Sequence, residues 1–426
     1  MLKSSLLITA LSLVGSFLGL LVQLLMAQRY GSGVEVDAYL YAISTPTFVA
    51  GLLASLLSYT VVPRMAQHSE NPVKQNRLIV SLIALASCTA LFLLLISPAL
   101  GYLQKDLLPE RSLIQQQHNL QQLLLIGWVI AAMQIVLAAA CAVITGLKKP
   151  ITSTALNLGP YIAMLIAMLI SQGGTEQLAY GMLAGTCASL ILALAMLQQR
   201  VYGHWQQIAW MEVRALVMSS PYTIVAMSCF SAYAVVDSYW APRAGEGVLA
   251  SLGYSQRIII ALGNLAVAGP SAILVPKFSE IVAKGSQADF DTMFKRTLAT
   301  TLAISCTLAL CLYVGAKPLI QWLFTRGAFG QQDAARVAAV LQYCLPGMVF
   351  MLLSVISLRV LFCFRNIEKI GALLGAFWGV AYFVFSAIFI HAGAEGLASA
   401  YSLTWGVYFF CMMLAIQRIK IHNRKI

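Results

Sequence analysis

A single arginine lies deep inside an otherwise apolar stretch of the sequence. Arg257 falls in the apolar segment 248–275, about 14 Å from the segment's start if the segment is a helix rising 1.5 Å per residue. A permanent charge at that depth is costly unless an anion or a polar cavity faces it. A guanidinium can hold two phosphate oxygens at once. Arg257 is therefore predicted to bind an anionic substrate, with an ion pair to Asp237 as the alternative role.

Two further residues are predicted to contact the same substrate. Asn264 follows Arg257 by seven residues and so shares its helix face. Arg359 lies near the end of another apolar segment, where a side chain that reaches toward the membrane surface is the alternative explanation.

The first apolar segment carries a stripe of polar and small residues at helical spacing: Ser12, Ser16, Gly19 and Gln23. Intervals of four, three and four residues place them on one helix face. The stripe predicts a cavity lining in which Ser16 and Gln23 contact substrate, and helix packing is the alternative.

Two aspartates are candidates for ion coupling or charge balancing. Asp237 lies about four residues from a predicted external loop, so we expect it near the membrane surface. Asp37 begins the second apolar segment, where the helix dipole favours an acid without any further function. No cofactor is expected, and coupling to a monovalent cation or to the membrane potential stays open.

Other chemistry finds little support in the sequence. It contains neither a G-x-x-x-x-G-K-[ST] phosphate loop nor an H-E-x-x-H zinc motif, and its nine cysteines form no C-x-x-C pair. The five histidines are scattered through loops and segment ends. We expect no metal site, no disulfide framework and no enzyme activity.

The elements that must position these residues are apolar. Hydrophobic residues make up 60% of the 426 and charged ones only 10%, whereas soluble proteins carry about 25% charged residues. At about 20 residues per span, the sequence predicts an all-α polytopic membrane protein with about twelve transmembrane helices. The predicted segments are 5–27, 38–63, 78–100, 122–145, 151–171, 178–198, 217–240, 248–275, 297–319, 337–361, 370–391 and 396–417.

The orientation of the chain in the membrane can explain its net charge of +12. With both termini in the cytoplasm, most of the 27 Lys and Arg residues fall in cytoplasmic segments, as the positive-inside rule requires. Nucleic acid is therefore not an expected partner, whereas membrane lipids are.

The two halves of the chain resemble each other. Val62-Pro63-Arg64 ends a segment in the first half as Val275-Pro276-Lys277 does in the second. We predict an N-lobe, 1–213, with helices 1–6 and a C-lobe, 214–426, with helices 7–12. Six spans per half give both lobes one orientation, related by a pseudo-two-fold axis along the membrane normal.

Several motifs, in this order, resemble those of the MurJ/MviN-type lipid flippases of the multidrug/oligosaccharidyl-lipid/polysaccharide exporter superfamily. They are Arg29-Tyr-Gly-Ser-Gly-Val-Glu-Val-Asp37-Ala-Tyr39, Ala155-Leu-Asn157-Leu158, Leu252-Gly-Tyr254-Ser-Gln-Arg257, Ile273-Leu-Val-Pro276-Lys-Phe-Ser279 and Leu323-Phe-Thr-Arg-Gly327-Ala-Phe329. The resemblance implies two six-helix lobes around a central cavity. It also implies alternating access in a bacterial inner membrane.

The resemblance assigns roles to particular positions. Arg257 matches one of the cavity arginines that engage pyrophosphate in the family. Ser16 and Gln23 stand where the family usually has arginines, and Gln256 stands where it has an acid.

The leading hypothesis is a flippase that moves an undecaprenyl-pyrophosphate-linked glycan precursor, such as lipid II, from the cytoplasmic to the periplasmic leaflet. The alternatives are export of an O-antigen or exopolysaccharide intermediate, cation-coupled drug efflux, and a scaffold that transports nothing. The expected partners are the lipid-linked oligosaccharide and membrane lipids, with envelope-synthesis enzymes as further candidates.

Overall fold

Helices account for the architecture of the chain. The computed structural model describes residues 2–67, 71–110, 112–171, 173–201, 221–263, 287–361 and 368–423, with single residues 214, 278 and 281, and no strand occurs among them. In order the helices are α1 (Leu2–Tyr30), α2 (Val34–Gln67), α3 (Pro72–Asp106), α4 (Leu120–Gly146), α5 (Pro150–Leu156), α6 (Gly159–Ile170), α7 (Glu176–Val201), α8 (Pro221–Ala244), α9 (Val248–Gly263), α10 (Gln287–Phe324), α11 (Gln331–Leu361), α12 (Glu368–Phe389) and α13 (Gly393–Asn423). Within these ranges the predicted apolar segments are helical.

The helices have the length and composition of membrane spans. Nine helical stretches of the described residues are long and apolar enough to cross a bilayer, and one of them, Lys369–Ile419, runs through both α12 and α13. Large apolar side chains are exposed along them; Leu169, Ile170 and Val314 are at least 75% exposed. A soluble protein rarely exposes such continuous apolar surface, and here it can face lipid. The prediction of an all-α membrane protein is confirmed at this level.

The chain forms two compact units. The first comprises Met1–Met26 and Gly33–Met227, and the second comprises Ala27–Ser32 and Ser228–Ile426. The predicted lobe boundary between residues 213 and 214 stays a prediction, because residues 202–213 lie outside the described part of the chain.

In the first unit, α4 is the central helix. It packs against α2, α3 and α7, and most of its side chains are buried. Gly127 allows the closest approach, because a Cβ there would lie 2.7 Å from the Ala42 carbonyl oxygen of α2. Small residues at such crossings let helix backbones touch.

The fifth predicted segment is broken into two short helices. α5 ends at Leu156 and α6 begins at Gly159, with Pro160 in its first turn. The Asn157 amide donates to the Ser153 carbonyl oxygen at 3.1 Å, replacing a helical bond with a side-chain bond. A side-chain donor thus bonds to a carbonyl oxygen of α5 next to the break.

The core of the second unit is aromatic. α11 packs against α10 and α13, and α13 packs against α12. Rings on α12 and α13 contact each other in a continuous chain: Trp378, Tyr382, Tyr401, Trp405 and Tyr408. Tyr382, which lies between Trp378 and Tyr401 in this series of rings, also contacts the polar site described next.

Candidate functional site

Among the described acids of the second unit, Asp237 on α8 is the most deeply buried, at 2% exposed. Its Oδ2 accepts a hydrogen bond from Gln256 Nε2 on α9 at 2.7 Å, and its Oδ1 accepts one from the Tyr382 hydroxyl on α12. One carboxylate thus joins three helices. Both donors are neutral, and hydrogen bonds of this kind offset part of the cost of burying a charge.

The structure places Asp237 within α8, which continues to Ala244, with its side chain buried among helices. Its position near the membrane surface stays a prediction. Its carboxylate oxygens accept from Gln256 and Tyr382, and the ion pair with Arg257 also stays a prediction.

Arg257 lies on the less buried face of α9. Gly253, Arg257, Ile260 and Ala261 are half-buried, whereas the neighbouring positions 254–256 and 258–259 are buried. These spacings of four, three and one residues mark a single helix face. Asn264 would continue that face by sequence, but it lies outside the described residues.

The positions that flank Arg257 anchor α9 in the second unit. Ser255 Oγ donates to the Ser251 and Val337 carbonyl oxygens, at 2.8 and 3.2 Å. Gln256 is bonded to Asp237, one position before the arginine. α9 is therefore bonded to α11 through Ser255 and to α8 through Gln256, at the two positions that precede Arg257.

The remaining predicted residues are spread over both units. Ser16 and Gln23 are half-buried on α1, and Gln23 Oε1 is buried without a hydrogen-bond partner among the described residues. Arg359 is exposed in the last turn of α11. Asp37 lies in the first turn of α2 as expected, and it is fully buried.

Two residues of the Asp237 site were missed by the sequence analysis. Gln256 was noted only as a departure from the resembling family, and Tyr382 not at all. The amide of Gln256, inside an apolar segment and next to Arg257, was the signal for the first. Tyr382 stands in an aromatic-rich segment where nothing distinguishes it from its neighbours.

A second feature of the same unit is the docking of Ala27–Ser32 against the α8–α9 and α10–α11 connections. Three hydrogen bonds hold it: Ala328 N to Gln28 O at 2.8 Å, Tyr254 Oη to Gly31 O at 2.7 Å, and Ser32 Oγ to Asp333 Oδ1 at 2.6 Å. Gly247 and Gly327 have φ of 71° and 68°, and a Cβ on either would strike this segment's backbone. We call this set of contacts the glycine interlock.

In the described part of the chain, no three or more His, Cys, Asp or Glu side chains cluster so that they could hold a metal ion. What the site offers is one guanidinium on a partly exposed helix face, beside a buried and hydrogen-bonded carboxylate.

Comparison with solved structures identifies the fold. The chain matches a structure titled as lipid II flippase MurJ in an inward closed conformation, with a TM-score of 0.80 and 19% identity over 97% of this chain and 87% of the other. It also matches an inward-facing multidrug resistance MATE family transporter, with a TM-score of 0.77 and 13% identity over 95% of each chain.

Sequence comparison gives two named relatives, each a "Probable lipid II flippase MurJ". The Vibrio cholerae protein is 25% identical over 432 residues, a match covering 95% of this chain and 80% of the relative. The Bdellovibrio bacteriovorus protein is 28% identical over 169 residues, which span 39% of this chain and only 32% of the relative.

A family model described as "Lipid II flippase MurJ" matches residues 26–426. This match confirms the resemblance found in the motifs and indicates a transporter rather than an enzyme. Since it spans nearly the whole sequence, the chain belongs to the MurJ family.

Proposed function

We propose that this protein is a flippase that moves lipid II from the cytoplasmic to the periplasmic leaflet of a bacterial inner membrane. One structural observation carries the proposal beyond family membership. Arg257 stands on the partly exposed face of α9, which Ser255 and Gln256 bond to α11 and α8. A guanidinium on a partly exposed helix face suits a pyrophosphate, whose oxygens it can bind in pairs.

We further propose twelve transmembrane helices in two six-helix lobes, 1–213 and 214–426, related by a pseudo-two-fold axis along the membrane normal. The paired short helices α5 and α6 count as one span, and Lys369–Ile419 counts as two. Both termini then lie in the cytoplasm. The order of helices supports this arrangement, as does the charge distribution.

Each predicted site residue has a role in this proposal. Arg257 binds the pyrophosphate, and Asn264, Ser16, Gln23 and Arg359 contact other polar parts of the substrate. Gln23 is suited to this because its buried carbonyl oxygen has no partner in the described structure. A substrate donor would satisfy it.

Asp237 would supply the coupling to a monovalent cation or to the membrane potential, and Asp37 the charge balance. Any change at the Asp237 carboxylate acts directly on α8, α9 and α12, because its two hydrogen bonds join those helices. α9 also carries Arg257, so the ion site and the substrate site share one helix.

The test replaces the arginine in the full chain. Arg257→Ala should abolish rescue of a bacterium depleted of its own lipid II flippase, and should abolish lipid II movement in proteoliposomes. Arg77→Ala is the matched control, because Arg77 is exposed on α3. Normal transport by Arg257→Ala, at equal membrane levels, would overturn the role of the guanidinium.

The same rescue separates lipid II from related substrates. If the unaltered protein is well expressed and fails to rescue, the proposal for lipid II is wrong. Its substrate would then be sought among O-antigen and exopolysaccharide intermediates, and rescue of strains lacking those exporters would identify it.

A further inference from the structure

The first unit contains a cavity of about 290 Å³ between α2, α4, the α5–α6 break and α7. Its polar lining residues are Thr47, Gln134, Asn157 and Tyr161. Small residues of α2 and α4 form another part of the wall: Ala50, Gly51, Ala54 and Ala138. The cavity lies within the first unit, whereas Arg257 and Asp237 belong to the second.

Hydrogen-bonding capacity is left unused at this cavity. The half-buried Gln134 amide makes no hydrogen bond with the described residues, so it offers two donors and an acceptor. Asn157 uses its amide nitrogen on Ser153, which leaves its carbonyl oxygen to accept from a ligand. Thr47 Oγ1 donates to the Ile43 carbonyl at 2.7 Å and can still accept through its lone pairs.

The cavity contains no charge to pair with an ionic ligand. None of its twelve lining residues is acidic or basic. A phosphate or a cation bound here would be buried without a counter-charge, which is unfavourable. An uncharged ligand with amide and hydroxyl groups would instead satisfy the polar lining.

The volume of the cavity and its remaining lining residues restrict the kind of ligand further. A volume of about 290 Å³ lies just below the range of about 300–1,000 Å³ for ligand sites, so the space suits one ring-sized group. The Tyr161 ring offers a flat apolar surface beside a polar hydroxyl. Met164 and Met182 are flexible enough to adjust around an irregular group.

We propose that this cavity binds one N-acetylated sugar ring of the substrate, recognised through its acetamido group and hydroxyls. The inference rests on the proposed function, since lipid II would present such a sugar next to its pyrophosphate. It adds a second subsite, in the first unit, that selects the glycan rather than the anion.

Two substitutions block the cavity in different ways. Gly51→Leu fills it, and is tolerated because an added Cβ meets no atom within 4 Å. Gln134→Leu keeps the volume and removes the amide. Their matched controls are Gly315→Leu, where an added Cβ also meets no atom within 4 Å, and Gln121→Leu, an exposed glutamine of the same helix as Gln134.

Binding is measured on the full chain in nanodiscs, with lipid II and with undecaprenyl pyrophosphate, which has no sugar. Both cavity variants should weaken lipid II binding about tenfold, as loss of roughly 1.4 kcal/mol of contacts predicts, and leave undecaprenyl pyrophosphate binding unchanged. Both controls should bind like the unaltered protein. Equal losses for the two ligands, or no loss for either, would overturn the proposal.

A soluble probe separates this inference from the proposed function. Saturation-transfer NMR with N-acetylglucosamine should detect its acetyl methyl group on the unaltered protein and on Gly315→Leu, but not on Gly51→Leu. If that pattern holds while lipid II does not bind, the flippase proposal fails and the sugar site stands. If only lipid acyl chains show transfer that Gly51→Leu removes, the cavity holds a lipid tail and the sugar proposal is wrong.

Discussion

The Asp237 carboxylate shows how a buried charge can be held without an opposite charge. Its two oxygens accept from the Gln256 amide and the Tyr382 hydroxyl, each on a different helix. A buried acceptor that loses such a donor costs about 1–3 kcal/mol, and more when it is charged. Burial of the Asp237 carboxylate therefore depends on both neutral donors.

Gln256→Glu tests this dependence at constant side-chain volume. The substitution replaces the donor at 2.7 Å from Oδ2 with a second carboxylate, so a favourable contact becomes a repulsion between like charges. We expect a lower melting temperature in detergent and slower transport.

Gln256→Leu is the control for that substitution, because it removes the donor and adds no charge. The melting temperature of Gln256→Glu should fall below that of Gln256→Leu at neutral pH. Equal stability of the two variants would show that the carboxylate of Asp237 is not held as the structure indicates.

Sequence reasoning located part of this site and missed the hydrogen bonds that hold it. Asp237 and Arg257 could be selected because a charge in an apolar segment stands out by composition alone. The donors to the Asp237 carboxylate could not be predicted, because a hydrogen-bond partner is set by packing between helices. The decisive donor, Tyr382, comes from a helix 145 residues away in the chain.

Among the helices, the contact between α6 and α7 depends on two glycines. A Cβ on Gly185 would lie 2.5 Å from the Gly159 carbonyl oxygen and 2.7 Å from Pro160 Cα, and a Cβ on Gly181 would lie 3.0 Å from Met164 Cα. These are backbone atoms that cannot rotate away. Gly181 and Gly185 therefore permit the close approach of α7 to the broken helix, as small residues at four-residue spacing do in membranes.

Gly185→Ala should separate α7 from α6 and destabilise the first unit. The added methyl group has no free space, so the helices must move apart and lose packing contacts. Gly379→Ala is the matched control, because a Cβ there meets nothing within 4 Å. We expect faster proteolysis and a lower melting temperature for Gly185→Ala only; equal behaviour of the two variants would contradict the glycine contact.

Features of the helices could be predicted from the sequence where they follow from a sequence pattern, and not where they follow from contacts between distant residues. In the described part of the chain the predicted apolar segments fall on helices, because length and hydrophobicity define a span. The backbone contacts show that Gly181 and Gly185 pack helices, whereas the surroundings of Gly379 are open. The glycine interlock was not foreseen, since positive φ values and contacts between distant loops leave no periodic signal.

The whole molecule combines an apolar exterior with few, asymmetrically placed charges. Exposed apolar side chains such as Leu95 and Leu373 would be unfavourable in water, so the bilayer must cover them. In the proposed orientation, the excess of Lys and Arg that gives the +12 charge lies on the cytoplasmic side. In the proposed function, the charge of Arg257 on α9 is explained by the substrate.

Orientation itself can be tested with a pair of cysteine substitutions. Gln116, in the connection between α3 and α4, and Lys149, in the connection between α4 and α5, are both exposed and lie at opposite ends of α4. With both termini in the cytoplasm, Gln116→Cys should react with a membrane-impermeant maleimide in intact spheroplasts. Lys149→Cys should react only after permeabilisation. The unsubstituted chain gives the background of its own cysteines, and the reverse labelling pattern would place both termini outside and invert the proposed direction of transport.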